Sequence, residues 1–329
     1  MVITQTPVRI SFFGGGTDYP VWFRENGGAV LAGAIDKYIY TSCRWLPPFH
    51  EHKHRVAYSK IEFVQGNDEI VHPAVREVFR HMKVEDGIEL HHSADLPARS
   101  GMGSSSSFVV GLLHTLHALR GEVVDQAKLA QESIHVEQQL IRENVGCQDQ
   151  VMAAFGGLNV VKFATTGGFS VHPLTISDTR IKDLQDHLML FYTGFTRVAS
   201  EVAAEQIKNT PNRKTELTAM QGMVDDGLRV LSGSGAIADF GKLLHEGWQL
   251  KRKMSSKIST GEIDEIYSTG VSHGAIGGKL LGAGGGGFML FFVPPEKQAT
   301  VRKALNKLIH VKFNFEYGGS KIIFYRREA

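Results

Sequence analysis

The chain has 329 residues, of which 42% are hydrophobic and 21% charged, which exceeds one ordinary core and leads to the expectation of two domains. A net charge of +2, with 36 basic residues scattered among 34 acidic ones, argues against a dedicated nucleic-acid binder. Cys43 and Cys147 are too few for a disulfide scaffold or a structural zinc site. No membrane span is visible, and the opening MVITQTPVRI has no basic stretch followed by a long apolar one, so a cytoplasmic protein is expected.

Residues 8–13 and 29–44 are rich in β-branched and aromatic side chains and are bounded by turns at 14–16 and 27–28, so strands come first. The first of them, PVRISFFGGGTDYP, carries Arg9 into three glycines and Thr17-Asp18; taken alone it reads as a hairpin turn capped by Asp18. The 15 histidines include His50, His52 and His54 in FHEHKHR. Alternate spacing in a strand would align these three for zinc, but Pro47, Pro48 and the charged neighbours favour a solvated loop or hairpin tip without a function.

A strand predicted over 87–92 leads into PARSGMGSSSSFVVGLLHTLHAL. Phe108, Leu112, Leu116 and Leu119, with Val109 and Leu113 beside them, fall on one stripe of a helix. The four serines 104–107 therefore occupy its N-terminus, where backbone N–H groups lack intrahelical partners and the dipole attracts anions. One serine there would read as a cap; four behind Gly101 and Gly103 point to phosphate. The loop is not of the Walker type, because no lysine lies between Pro97 and Lys128.

A second helix is predicted over 126–142, followed by GCQDQ as a turn and GGLNVVKF as a strand. The domain boundary is placed near residue 170, giving domains 1–170 and 171–329. The second half is predicted as a strand over 188–192, amphipathic helices up to about 273, a glycine cluster, the strand FMLFFV, a helix over 296–308 and closing strands. KLLGAGGGGFMLFFV contains Gly-x-Gly-x-x-Gly at Gly282, Gly284 and Gly287. A dinucleotide fingerprint follows a strand and opens a helix, whereas here the glycines are expected to follow helix and lead into a strand. They read as a permissive turn, or as backbone that must approach another loop or a ligand closely.

Together PVRISFFGGGTD, PARSGMGSSSS and KLLGAGGGGF resemble the three motifs of the GHMP kinases, in that family's order and at its usual separations, over nearly the whole chain. The resemblance implies a two-domain α+β fold, with an N-terminal domain like domain 2 of ribosomal protein S5, a ferredoxin-like C-terminal domain and the active site in the cleft between them. It implies ATP and Mg²⁺ as cofactors, with Gly101, Met102, Gly103, Ser104, Ser105 and Ser106 around the ATP phosphates and Ser105 and Glu137 on the metal. Glu132 and Glu143 compete with Glu137 for that role. Asp149 matches the acceptor-site aspartate, set to orient or deprotonate the accepting hydroxyl, with Arg9 keeping it ionised and offsetting developing charge. Gly15, Gly16, Thr17 and Asp18, together with Gly284 and Gly285, are assigned to the acceptor. Cys147 reads as a small buried residue.

The triple glycine with Thr-Asp, together with GCQDQ, is most similar to the family members that phosphorylate D-glycero-D-manno-heptose 7-phosphate at its anomeric hydroxyl. Kinases of the L-fucokinase type share that opening. A sugar phosphate would need a second cationic pocket, for which Arg197 in FYTGFTRVASEV is the candidate and Lys37 the weaker alternative. The expected partner is thus a sugar phosphate, with no nucleic acid, no membrane and an open oligomeric state. A non-catalytic sugar-binding relative would be expected to have lost Asp149 or the phosphate loop, and an NAD-dependent oxidoreductase needs a strand before Gly282.

Overall fold

The structure, a computed structural model, describes residues 1–195 and 199–326. Its first half is built on β1 (Val2–Phe13) and the hairpin partner β2 (Gly28–Trp45), with the short α1 (Pro20–Asn26) in the connection. β1 ends in a turn that only glycine allows: Gly14 and Gly16 have φ of +79° and +101°, and a Cβ at Gly14 would overlap the Ala29 carbonyl oxygen. β3 (His54–Ala57), β4 (Ile61–Val64), α2 (Pro73–His81) and β5 (Ile88–Ala94) follow. α3 (Ser104–Leu119), α4 (Gln126–His135) and α5 (Gln148–Phe155) then pack together, and β6 (Leu158–Phe163) and β7 (Phe169–Pro173) close the first sheet. Among the described residues the order is β12-β1-β2-β5-β3-β4, with β6 on β2 and β7 on β6. The long β2 makes this possible, since its residues 28–33 pair with β6 and its residues 39–45 with β5.

α3 lies against the sheet and is buried almost all round, beyond the single stripe predicted: Val110, Ser106, Ser107 and Thr115 are as enclosed as Leu112 and Leu116. Its close approach depends on Gly111, where a Cβ would crowd Thr6 Oγ1 and Thr41 Oγ1. Thr4 Oγ1 donates to Gly111 O at 3.1 Å and meets Thr115 Oγ1 at 2.7 Å, tying β1 to the helix, while Thr6 Oγ1 meets Ser320 Oγ at 2.8 Å and Thr41 Oγ1 has no partner among the described residues.

The second half continues with α6 (Asp178–His187), β8 (Leu188–Tyr192), α7 (Ala199–Asn209), α8 (Lys214–Ser232), α9 (Ala238–Lys253) and α10 (Gly261–Ser272). β9 (Gly277–Leu280), β10 (Phe288–Phe292), α11 (Gln298–Ala304), β11 (Ile309–Val311) and β12 (Lys321–Tyr325) complete the chain. Four strands form an antiparallel sheet ordered β11-β8-β10-β9. FMLFF in β10 is buried on both faces, hence its unbroken apolar run. The halves meet through aromatic edges, with Phe12 5.4 Å from Phe240 and 6.3 Å from Phe315.

Several expectations change. The helix predicted over 126–142 is α-helical only to His135 and widens into a π-type turn, Val136–Ile141, that Arg142 ends at φ 62°. GCQDQ is less a turn than the start of α5, which puts Asp149 in a helical first turn. The glycine cluster does follow a strand, β9, because KL in GGKLLG extends sheet pairing to β10; it still opens no helix. The boundary at residue 170 cuts β7, and β12 returns to pair with β1, so division by sheet membership would group 1–173 with the closing strand. His50 and His52 occupy a loop as expected, but His54 begins β3 fully buried, its Nδ1 accepting from the Ile88 N–H at 3.2 Å.

Candidate active site

A cavity of about 280 Å³ lies where the two halves face each other. Its floor is the end of β1. Arg9 is buried there, and its Nε and Nη2 donate to the two carboxylate oxygens of Asp149 at 2.7 and 2.8 Å, while Nη1 donates to Gly101 O at 2.8 Å. This bidentate fork fixes the carboxylate in one plane and ties it to the phosphate loop. Asp149 is half-exposed to the cavity and sits in the first turn of α5, whose dipole favours a negative charge.

α3 points its N-terminus at the same space. Gly103 precedes it at φ +77°, and no side chain caps the helix, so the N–H groups of Ser104, Ser105 and Ser106 are left for a ligand. Gly101, Gly103 and the three serines line the cavity. A Cβ at Gly103 would press on Asp149, so the glycine lets loop and carboxylate approach each other. Met102 does not reach the cavity: its side chain is fully buried, and its carbonyl accepts from the Arg9 N–H at 3.0 Å.

Gly15, Gly16 and Asp18 also line the cavity. Asp18 is buried and accepts from the N–H groups of Gly16 at 2.9 Å and Gln148 at 3.4 Å. Burial, and then the Asp149 charge, push its carboxyl above the ordinary range. Gly146 packs directly on that carboxyl, so any larger residue there would displace it. Thr17 faces away, contrary to its assignment to the acceptor: its hydroxyl donates to Gly14 O and Ala29 O, both at 2.8 Å, and holds the turn. Gly284 and Gly285 likewise turn from the cavity onto residue 258, Gly285 N donating to Ile258 O at 2.9 Å; Gly282 and Ala283 line it instead.

Glu137, in the π-type turn, is fully buried behind the serines. Its carboxyl accepts from Ser106 Oγ at 2.8 and 3.1 Å and from Gln150 Nε2. Burial pushes it up to about 8, since no cationic side chain pairs with it among the described residues. Its contact is with Ser106 rather than Ser105, which is exposed to the cavity. One buried carboxyl, serine hydroxyls and an uncapped helix N-terminus suit Mg²⁺, which takes few protein ligands and completes its shell with phosphate and water. Of the competitors, Glu132 is held by His117 Nε2 at 2.8 Å and, like Glu137 itself, is not on the cavity lining, while Glu143 lines the cavity next to Arg99; Glu137 reaches the site through its bond to Ser106. Lys37 bonds to Asp36 and also lies off the lining, and Arg197 falls outside the described residues.

Among the lining residues that sequence reasoning did not assign are Arg99 before α3, Lys251 on α9 and Lys279 on β9. Both lysines are buried. Neither motif nor periodicity marks Lys251; Lys279 opens the third motif, KLLGAGGGGF, but the glycines drew the reading and the lysine was assigned no role. Ser11 Oγ and Gln148 Oε1, also on lining residues, are buried without a partner among the described residues.

The GHMP kinase N-terminal domain model matches residues 69–157 and the GHMP kinase C-terminal model residues 228–310. A D-glycero-alpha-D-manno-heptose 7-phosphate kinase of Campylobacter jejuni is 31% identical over 317 residues, covering 92% of this chain and 93% of its own. The L-fucokinase/L-fucose-1-P guanylyltransferase of Bacteroides fragilis is 27% identical over 91% of this chain but only 35% of its own length. The crystal structure of a D-glycero-D-manno-heptose 1-phosphate kinase from Bacteroides thetaiotaomicron superposes with a TM-score of 0.79 at 22% identity, over 99% of this chain and 100% of that one. Lactococcus lactis galactokinase gives 0.75 at 19% identity, over 97% and 94%. The chain belongs to the GHMP kinase family. It is a sugar kinase of that family, a phosphotransferase with ATP as donor and a sugar hydroxyl as acceptor. No described helix is long and apolar enough to cross a membrane.

Proposed function

We propose that the enzyme transfers the γ-phosphate of ATP to the anomeric hydroxyl of D-glycero-D-manno-heptose 7-phosphate, giving the 1,7-bisphosphate. The observation carrying this reading is the shared cavity of the uncapped α3 N-terminus and the Arg9–Asp149 fork, in a chain 31% identical to a heptose 7-phosphate kinase along nearly its whole length. The N–H groups of residues 104–106 bind the ATP phosphates at the positive end of the helix. Ser105, Ser106 and Glu137 hold Mg²⁺, which when bound neutralises charge on the transferring group. Asp149 orients the accepting hydroxyl and takes its proton, and Arg9 keeps the carboxylate aimed. Asp18, with the Gly15 and Gly16 backbone, holds other sugar hydroxyls, its carboxylate accepting from them.

The Bacteroides fragilis fucokinase keeps an unphosphorylated sugar kinase as the second reading. Phosphorus NMR of the product formed from ATP and a panel of sugars and sugar phosphates distinguishes them. The heptose 7-phosphate should give a second phosphorus signal coupled to the anomeric proton. If L-fucose or another unphosphorylated hexose has the higher kcat/KM, the heptose assignment falls and the kinase assignment stands.

A further inference from the structure

The cavity holds positive charge to which the family resemblance assigned no role: Lys251 lies outside the three motifs, and Lys279 opens the third without having been given a function. Lys251 and Lys279 enter it from the second half of the molecule, with only 8% and 7% of their surface exposed. Among the described residues neither makes an ion pair. Lys251 Nζ donates to Leu280 O at 3.0 Å and to Gly282 O, and Lys279 Nζ donates to Phe12 O at 2.8 Å. An ammonium has three N–H donors, so one on Lys251 and two on Lys279 remain unused. A buried, unpaired ammonium is costly, and two facing each other and Arg9 more so.

Their bonds to backbone carbonyls use part of their donor capacity and give the two side chains a structural role, but they leave both charges without a counter-charge, which that role does not require. Of the other cations on the lining, Arg9 has its fork on Asp149 and Arg99 stands next to Glu143, while the ATP phosphates have the α3 N-terminus. Lys251 instead faces Arg9 and Asp18, on the acceptor's side, Lys279 faces Lys251 and Arg9, and Ser11 Oγ, without a partner among the described residues, stands one residue before the carbonyl that Lys279 grips.

We infer that Lys251 and Lys279 form a subsite for a phosphate group carried by the acceptor sugar, separate from the serine loop that takes the ATP phosphates. The inference rests on the kinase reading above and identifies what selects a phosphorylated acceptor. Burial supports it from another side: Lys251 is pushed down to about 7 and Lys279 well below its usual range, by desolvation first and then by neighbouring cations. A dianion between them supplies the missing counter-charge.

The test uses the wild type and the single variants Lys251→Met and Lys279→Met, assayed with heptose 7-phosphate and with the unphosphorylated heptose. In the wild type, inorganic phosphate should compete with the phosphorylated acceptor and not with ATP. Each variant should lose about 10- to 100-fold in kcat/KM for the phosphorylated sugar, mostly in KM, with little change for the unphosphorylated one, as expected for a lost charge-assisted bond. Equal losses on both sugars, competition of phosphate with ATP alone, or no competition at all would overturn the subsite. If a variant fails to fold, the wild-type competition and a calorimetric titration with inorganic phosphate still decide it. Should no sugar be phosphorylated, the kinase reading fails by itself, and the calorimetric titration remains readable.

Discussion

At the scale of single residues, the site depends on which polar group each side chain has already spent. Arg9 gives its fork to Asp149 and its remaining nitrogen to Gly101 O, so it works as a strut between the acceptor carboxylate and the phosphate loop. Asp149→Asn preserves the shape and one acceptor for the fork while removing the base. Turnover should fall by about two orders of magnitude or more, as for other acid–base groups, with ADP affinity nearly unchanged. Single-turnover kinetics alongside ADP titration checks this, and turnover within about threefold of wild type would take Asp149 out of the mechanism. Thr17 and Asp18 show how far the residue scale could be read in sequence. The motif marks both, but side-chain direction decides their roles: Thr17 closes the turn with two bonds to backbone carbonyls, and only Asp18 reaches the cavity.

At the scale of elements, α3 carries the site at one end and is anchored at the other. His117, in its last turn, is buried between Glu122 Oε2 at 2.7 Å and Glu132 Oε2 at 2.8 Å, and so clamps α3 to α4. The Glu132 bond, the largest cause, raises His117 above its ordinary 6.5 against the opposing effect of burial. A folded-state value above the unfolded one means that the stabilisation is full below about 6.5 and is lost as pH rises through the raised value. His117→Leu should therefore lower Tm more at pH 6 than at pH 9. Thermal melts of both proteins at the two pH values test it, and an equal Tm gap would show that the clamp does not act through charge. The helix itself was readable from periodicity, because its apolar residues recur at three and four. What periodicity could not give was its second buried face, since Ser106, Ser107 and Thr115 are polar and become core only by bonding to Glu137, Pro7 O and Thr4. The π-type turn at residues 136–141 escaped for a similar reason: it has helical composition, and nothing in VEQQLI marks the widening within which Glu137 is buried.

At the scale of the whole molecule, the two halves approach most closely through glycines, which is why three glycine-rich motifs far apart in sequence meet at one cleft. Gly101 in the phosphate loop and Gly282 in the third motif pack backbone to backbone: a Cβ at Gly101 would lie 2.6 Å from Leu281 O, and one at Gly282 would overlap Gly101 Cα. Gly287 makes the same kind of contact with Ser100. The reading of the third motif as backbone made to approach another loop thus had a physical basis, while its partner could not be known before the sheets were assembled. Lys251 lies just behind this contact, bonded to Gly282 O, so the spacing of the two loops also sets where the lysine can stand. Gly101→Ala and Gly282→Ala should each cost about 1–2 kcal/mol in left-handed strain, since φ is +78° and +74°, plus a term for prising the loops apart. The strain terms belong to separate residues and add, but the separation is shared: once one methyl has opened the contact, the second has less to displace. The double variant should therefore be more stable than the sum of the single losses implies, by about 0.5 kcal/mol or more. Each single variant should also lose on the order of tenfold or more in kcat/KM, because a misplacement well under 1 Å is enough to spoil the alignment of donor and acceptor. Denaturant unfolding of the four proteins in a double-mutant cycle gives the coupling directly. Strict additivity would mean that the loops do not bear on each other, and that the two halves of the site are positioned by their other contacts, among them the Phe12–Phe240 edge and the Lys279 bond to Phe12 O.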